Sequence, residues 1–140
     1  MFLFSIISCQ QEFIKMQDQN VDNIKISKFE KIAISYFNTL ETGKTYNFKN
    51  IANKEFNDKM TPDFQLESYS KIKQEFGELE SLKFSGIWTR KTNNNIQLIR
   101  FKGKFNKSNN PLEIRVVLNR INKITGFWIK PWKNNLNSII

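Results

Sequence analysis

Between Phe29 and Leu40 the apolar side chains fall at Phe29, Ile32, Ala33, Tyr36, Phe37 and Leu40, three or four apart, and so share one helical face. Ser27 followed by Glu30 has the form of a capping box, in which each side chain meets a free backbone N–H, and Gly43 ends the run. The pattern predicts a helix of about four turns starting at Ser27. Phe48, Ile51, Ala52 and Phe56 suggest a shorter helix over residues 47–54. A third helix is signalled by Thr61 as cap, Pro62 in the first turn and Asp63 complementing the helix dipole. Leu66, Tyr69, Ile72 and Phe76 line one side of it, and Gly77 stops it.

After Gly77 the period changes from helical to alternating. Leu82, Phe84 and Trp88 alternate with Lys83, Ser85 and Thr89, and Gly86 sits among the former. Ile99, Phe101, Gly103 and Phe105 alternate with Arg100, Lys102 and Lys104. Leu112, Ile114, Val116 and Leu118 alternate with Glu113, Arg115 and Asn119, and a last apolar run extends from Ile124 to Trp132. Asn-rich breaks at 93–95 and 106–110, and a tight link near Asn122, separate the runs as hairpin loops do. Helices followed by a four-stranded antiparallel meander make an α+β plan, with the helices on one face of the sheet. The expected domain covers 27–133, with 134–140 as a C-terminal tail.

Length and composition narrow this further. The 140 residues suit one domain with a real core, and 13 phenylalanines supply packing mass. The net charge of +9 is uneven: residues 81–140 hold twelve Lys and Arg against a single acid, Glu113, whereas residues 1–80 are near balance. A half this basic invites anionic partners. It equally fits a solvated face, or the codon bias of a genome poor in G and C, which also enriches Lys, Asn and Ile. The chain has no His and one Cys, which excludes Ser-His-Asp triads, Cys-His dyads, His-ligated zinc and an internal disulfide. No metal or cofactor is expected. No apolar run approaches the ~20 residues that span a bilayer.

The one cysteine, Cys9, follows the apolar stretch Met-Phe-Leu-Phe-Ser-Ile-Ile-Ser. Ile6-Ile7-Ser8-Cys9 resembles the lipobox of bacterial lipoproteins, whose cysteine thiol receives a diacylglycerol before the signal is cut just ahead of it. The resemblance implies that residues 1–8 are the remnant of a signal peptide and that Cys9 is the lipid attachment site. Residues 9–26 then become a lipidated cysteine and polar tether, "QQEFIKMQDQNVDNIKI" after the cysteine, and the protein belongs to the cell envelope on the outer-membrane or periplasmic side. The alternative is an apolar N-terminus with an incidental buried cysteine.

The order of elements over 27–133 resembles the cone-shaped superfamily of nuclear transport factor 2 and ketosteroid isomerase, and most of all small domains of that kind in bacterial lipoproteins. The helix bearing "YFNTL", the "GELESLKFSG" passage and the closing "ITGFWIKP" carry the likeness. It implies a strongly curved sheet enclosing an apolar pocket, to which Tyr36, Tyr69, Phe84, Trp88, Phe101, Phe105 and Phe127 would contribute. Glycines inside strands, Gly86, Gly103 and Gly126, suit such bending. A cystatin-like helix wrapped by a sheet is the rival fold.

Isomerases of that superfamily use a carboxylate base and a hydrogen-bonding acid pair. The strands here hold almost no acids, so no residue carries over. An enzyme, isomerase- or hydrolase-like, would have to draw on the helix-borne Asp58, Asp63, Tyr36 and Tyr69. Three short motifs mislead. Ser70-Lys71-Ile72-Lys73 lacks the further motifs of penicillin-interacting enzymes. Gly43-Lys44-Thr45 has Asn38 where a P-loop needs its first Gly. Asn106-Lys107-Ser108 is only a formal glycosylation sequon.

The favoured reading is a non-catalytic binding or accessory lipoprotein whose cone holds a small apolar ligand of unknown identity or serves only as a scaffold. Arg100, Lys102, Lys104 and Arg115 would cluster on the sheet face away from the helices as a weak polyanion-binding surface. That face could instead be merely solvated, or pair two copies of the chain through the sheet. Nucleic acid is not expected, because the strand phenylalanines alternate as core residues rather than as stacking platforms and the chain is read as exported.

Overall fold

In the computed structural model, residues 13–90 and 95–136 are described, and every structural statement below concerns them. The elements run β1 (Phe13–Lys15), α1 (Asn23–Glu41), α2 (Lys54–Lys59), α3 (Pro62–Phe76), β2 (Leu79–Arg90), β3 (Gln97–Phe105), β4 (Leu112–Leu118) and β5 (Ile124–Pro131), with a 3-10 turn at Asp18–Asn20. The architecture is α+β: three helices and one open antiparallel sheet in the order β1-β2-β3-β4-β5.

The stripe expected on the first helix is the buried one. Phe29, Ile32, Ala33, Tyr36, Phe37 and Leu40 are all in the core. Phe37 meets Phe105 of β3 edge-on at 5.7 Å, and Tyr36 meets Phe127 of β5 at 5.1 Å, so α1 lies across the sheet's inner face. From the strands, Ile87, Ile99, Phe101, Phe105, Leu112, Ile114, Val116 and Ile124 join it. Each such side chain, fully buried, contributes about 1.5–3 kcal/mol.

Several boundaries differ from the expected ones. The helix starts four residues earlier, at Asn23, and its cap is Asp22, whose carboxylate accepts from the Ile24 and Lys25 N–H groups. Ser27 and Glu30 lie inside the helix, because burying Ile26 extends the apolar stripe one step back. The expected 47–54 helix is replaced by turns, and the helix there is Lys54–Lys59, capped by Asn53. The reason is tertiary. Ala52 forms a parallel bridge with Ile124, with Asn53 N–H donating to the Ile124 carbonyl at 3.0 Å and Ile124 N–H to the Ile51 carbonyl at 2.8 Å. Backbone groups committed to the sheet are not free for helix.

The third helix is capped by Thr61 as expected, and Gly77 closes it with φ of 83°. Its inward face is shifted, however. Leu66 is exposed and Gln65 is buried, its amide bonded to both backbone groups of Tyr46 and to the Met60 carbonyl.

The sheet has five strands where four were expected. Phe13–Lys15, assigned from sequence to the tether, pairs with Arg90, Thr89 and Trp88 of β2. The ordered fold also passes the expected C-terminal limit, since Leu136 is only 3 % exposed.

A candidate anion-binding face

The register of the strands divides the sheet into two chemistries. Phe84, Phe101, Ile114 and Ile129 stand opposite one another in turn on the inner face, under the helices. Shifted by one residue, Lys83, Lys102, Glu113 and Lys130 form the matching row on the outer face. Arg100 and Arg115 form the next, directly opposed across β3 and β4. All four expected cations, Arg100, Lys102, Lys104 and Arg115, thus share the face away from the helices.

They do not share an environment. Lys102 and Lys104 are exposed, and Lys104 pairs with Glu80 at 3.3 Å. Arg100 and Arg115, expected on an open surface, are buried at 1 % and 8 % exposure. What makes this tolerable is a fully buried acid between them. Arg100 Nη2 donates to Glu113 Oε1 at 2.8 Å and Arg115 Nε to Glu113 Oε2 at 2.5 Å. A single carboxylate cannot occupy every donor of two guanidinia. Arg100 Nε and Arg115 Nη2 are buried without an acceptor.

Aromatic rings and the C-terminal segment complete the cover. The Arg100 guanidinium lies 5.1 Å from the Trp88 ring and 4.1 Å from the Trp132 ring, and its Nη2 also donates to the Lys133 carbonyl at 2.5 Å. The Lys102 ammonium sits 4.5 Å over Trp132. Such cation–π contacts contribute about 0.5–2 kcal/mol each, more when water is excluded. Burial and the neighbouring Arg115 hold the Lys130 ammonium below the usual lysine range, against the pull of Glu113.

Trp88 was expected with the pocket-lining rings and lies on the opposite face. A register shift between Phe84 and Gly86 inserts one residue, and a one-residue slip turns every later side chain over. Ile87 then points inward, and Trp88 faces outward beside Leu98 and Arg100. Gly86 has the room for this: a Cβ there would stand 2.9 Å from the Trp88 ring and 2.8 Å from Lys15 Cε.

The other six residues expected to line a pocket, Tyr36, Tyr69, Phe84, Phe101, Phe105 and Phe127, belong to the inner face or the helices above it. They fill it. Tyr36 packs on Phe37, Tyr46, Phe48 and Phe127 at 5.1–6.3 Å between centroids, and Phe84 packs on Phe101 at 6.1 Å. Burial pushes the Tyr36 hydroxyl up to about 12. Phe127 alone of the six also borders a groove of 220 Å³ between α2 and β5, with Phe56, Met60 and Trp128 among its walls.

The helix-borne acids are not gathered. Asp58 pairs with Lys54 at 2.7 Å in solvent, and Asp63 is exposed in the first turn of α3. Tyr69 donates to Glu41, which also accepts from Lys73 at 2.6 Å, and this clamp joins α1 to α3. The Lys73 hydrogen bond, followed by that of Tyr69, holds the Glu41 carboxyl below its ordinary value. Burial and Glu41 push the Tyr69 hydroxyl up. A carboxylate so stabilised is a poor proton acceptor, and the geometry is that of a structural tie.

The sequence reading missed Glu113 as the hub, and with it Trp132, Lys130 and Leu136. One signal was present: Glu113 is the only acid in the basic half and stands at an alternating position beside Arg115. Cys9 lies outside the described residues. Among those described, no group of His, Cys, Asp and Glu could hold a metal ion, and no helix is long and apolar enough to cross a membrane. No protein-family model, curated protein sequence or solved structure matches the chain.

Proposed function

We propose that this protein is a non-catalytic binding or accessory module of the bacterial cell envelope, tethered by a lipid on Cys9, and that its working surface is the outer face of the sheet. The observation that carries this is the gathering of Arg100, Lys102, Arg115 and Lys130 around Glu113 on that one face, with Lys104 beside them paired to Glu80. Such a face presents a field that attracts anionic surfaces and that salt screens over ~10 Å at 0.1 M. The motif Ile6-Ile7-Ser8-Cys9 supports the tether.

The sheet is read as a shallow member of the cone-shaped class. Register shifts at Leu79/Ser81, Phe84/Gly86 and Val117/Leu118 support this, because extra residues bend strands. Its inner side is filled with rings, which favours the outer side as the place where a partner is met.

The test is co-sedimentation of the full chain, made without its lipid so that only the protein surface can hold it, with phosphatidylglycerol vesicles across a salt series. Wild type should bind at low salt and release near physiological ionic strength. The Lys102→Glu, Lys104→Glu double variant should lose binding while remaining cooperatively folded, with a modest fall in melting temperature, since the exposed Lys104 pair contributes about 0–1 kcal/mol and the Lys102 contact over Trp132 about 0.5–2 kcal/mol. Equal binding by the two proteins refutes the outer face as the working surface. Mass spectrometry of protein expressed with its native upstream region should find a diacylated Cys9, and an unmodified chain starting at Met1 refutes the tether.

A further inference from the structure

The outer-face cluster carries more positive charge than its one carboxylate neutralises, and the excess is buried. Arg100 and Arg115 are opposed across β3 and β4, an arrangement that repels, and Lys102 and Lys130 flank Glu113 on its two neighbouring strands. Four cations therefore surround one anion. Glu113 takes one donor from each guanidinium, which leaves Arg100 Nε and Arg115 Nη2 buried and unmet. Buried donors and buried charges are ordinarily matched, because stripping them of water without replacement is strongly unfavourable.

The cover over this cluster is of a kind that can lift. Past Pro131 the chain leaves the sheet, and the contacts that hold Trp132–Leu136 include the Trp132 ring on Arg100 and Lys102, the Lys133 carbonyl on Arg100 Nη2, burial of Leu136 and a backbone bond from Trp132 to the Pro111 carbonyl. Beside Trp132 is a cavity of 400 Å³, walled by Phe76, Pro111 and Pro131 among others.

We propose that Arg100 and Arg115 form a binding site for a phosphate group, and that Trp132–Leu136 is its lid, the Lys133 carbonyl holding Arg100 until a phosphate oxygen replaces it. The site rests on the outer face being the working surface and narrows that reading from a diffuse field to a defined ligand. Guanidinium groups present a planar fork that matches phosphate oxygens, and charge-assisted bonds to phosphate are stronger than the bond to a neutral carbonyl. Four cations and one carboxylate leave three positive charges, of which a phosphate dianion offsets two where a carboxylate offsets one. Trp88, which is not part of the lid, keeps water from one side of the Arg100 guanidinium, and the attraction is stronger for it. The phosphate belongs either to a soluble ester or to a lipid headgroup.

The experiment titrates the ¹⁵N-labelled full chain with inorganic phosphate, ionic strength being held constant with chloride, and follows the arginine Nε–H and tryptophan indole signals. Saturable shifts at Arg100, Arg115 and Trp132, weakened about tenfold or more in Arg115→Gln, support the site. Shifts that rise linearly, that chloride reproduces, or that survive Arg115→Gln unchanged overturn it. Because Arg115→Gln can unfold the chain, Trp132→Ala is the second variant. It leaves both guanidinia and loosens the lid, so phosphate should bind several-fold tighter, and unchanged or weaker binding overturns the lid. Phosphatidic acid vesicles in a second arm separate the sources: competition with inorganic phosphate supports a lipid headgroup, and saturable phosphate binding without competition supports a soluble ester. Linear phosphate shifts alongside intact, salt-labile binding to phosphatidylglycerol remove the site alone. Vesicle binding indifferent to charge reversal at Lys102 and Lys104 removes the broader reading and leaves the phosphate result standing.

Discussion

Glu113 accepts from two guanidinia at once and is itself fully buried, so its charge cannot be removed quietly. Glu113→Gln leaves two buried cations without their anion and should destabilise the fold by about 3–5 kcal/mol in urea denaturation. An effect within the ~0–1 kcal/mol range of surface pairs would mean that water reaches the triad. Legibility at this scale was uneven. That Arg100 and Arg115 share a face follows from alternation and could be read directly. That Arg100 is buried could not, because its cover includes Trp132 and Lys133, more than thirty residues away in sequence.

Among the elements, α1 shows which local signals decide a helix end. The cap expected from the sequence is Ser27, and the one the structure uses is Asp22. Asp22→Ala should therefore lower stability by about 1 kcal/mol, whereas Ser27→Ala should be close to neutral, as thermal melts of the two variants will show. The reverse ranking would put the helix start at Ser27. The tie between α1 and α3 makes a second prediction, in pH. The Glu41 carboxyl titrates below its ordinary value in the folded chain, so its contribution is complete above the usual carboxylate range and is lost as pH falls through the lowered value. Wild type should lose stability on acidification through this group, and Glu41→Gln should flatten part of that acid limb. Parallel pH–stability curves for the two proteins would exclude the tie from acid denaturation. Helices α1 and α3 were visible because their apolar spacing is set within the element. The segment around α2 was misplaced because residues 51–53 are engaged by Ile124, a contact local spacing does not contain.

At the scale of the molecule, stability should fall off from the centre of the sheet to its edge. β3 and β4 are paired on both sides and carry the fully buried Ile99, Phe101, Ile114 and Val116. β1 contributes three pairs at an open edge. Amide hydrogen exchange should be slowest at those four residues, opening only with global unfolding, and fastest among the strands at Phe13–Lys15. Protection of β1 equal to that of β3 would mean that it is an integral part of the cooperative unit.

Periodicity determined a great deal by itself: two of the helices, the four long strands, the inner set of core residues and the outer row of cations all follow from spacings of 3.6 and 2. Those are properties of neighbouring residues on one chain. Three features were decided only by the tertiary structure. The three-residue β1 is too short to show a pattern and exists because β2 offers it an edge. Trp88 changed faces because one bulged residue reverses the parity that alternation assumes. And the basic surface became a buried arginine pair around Glu113, because charge is assigned by sequence while its exposure is assigned by whatever the rest of the chain lays over it.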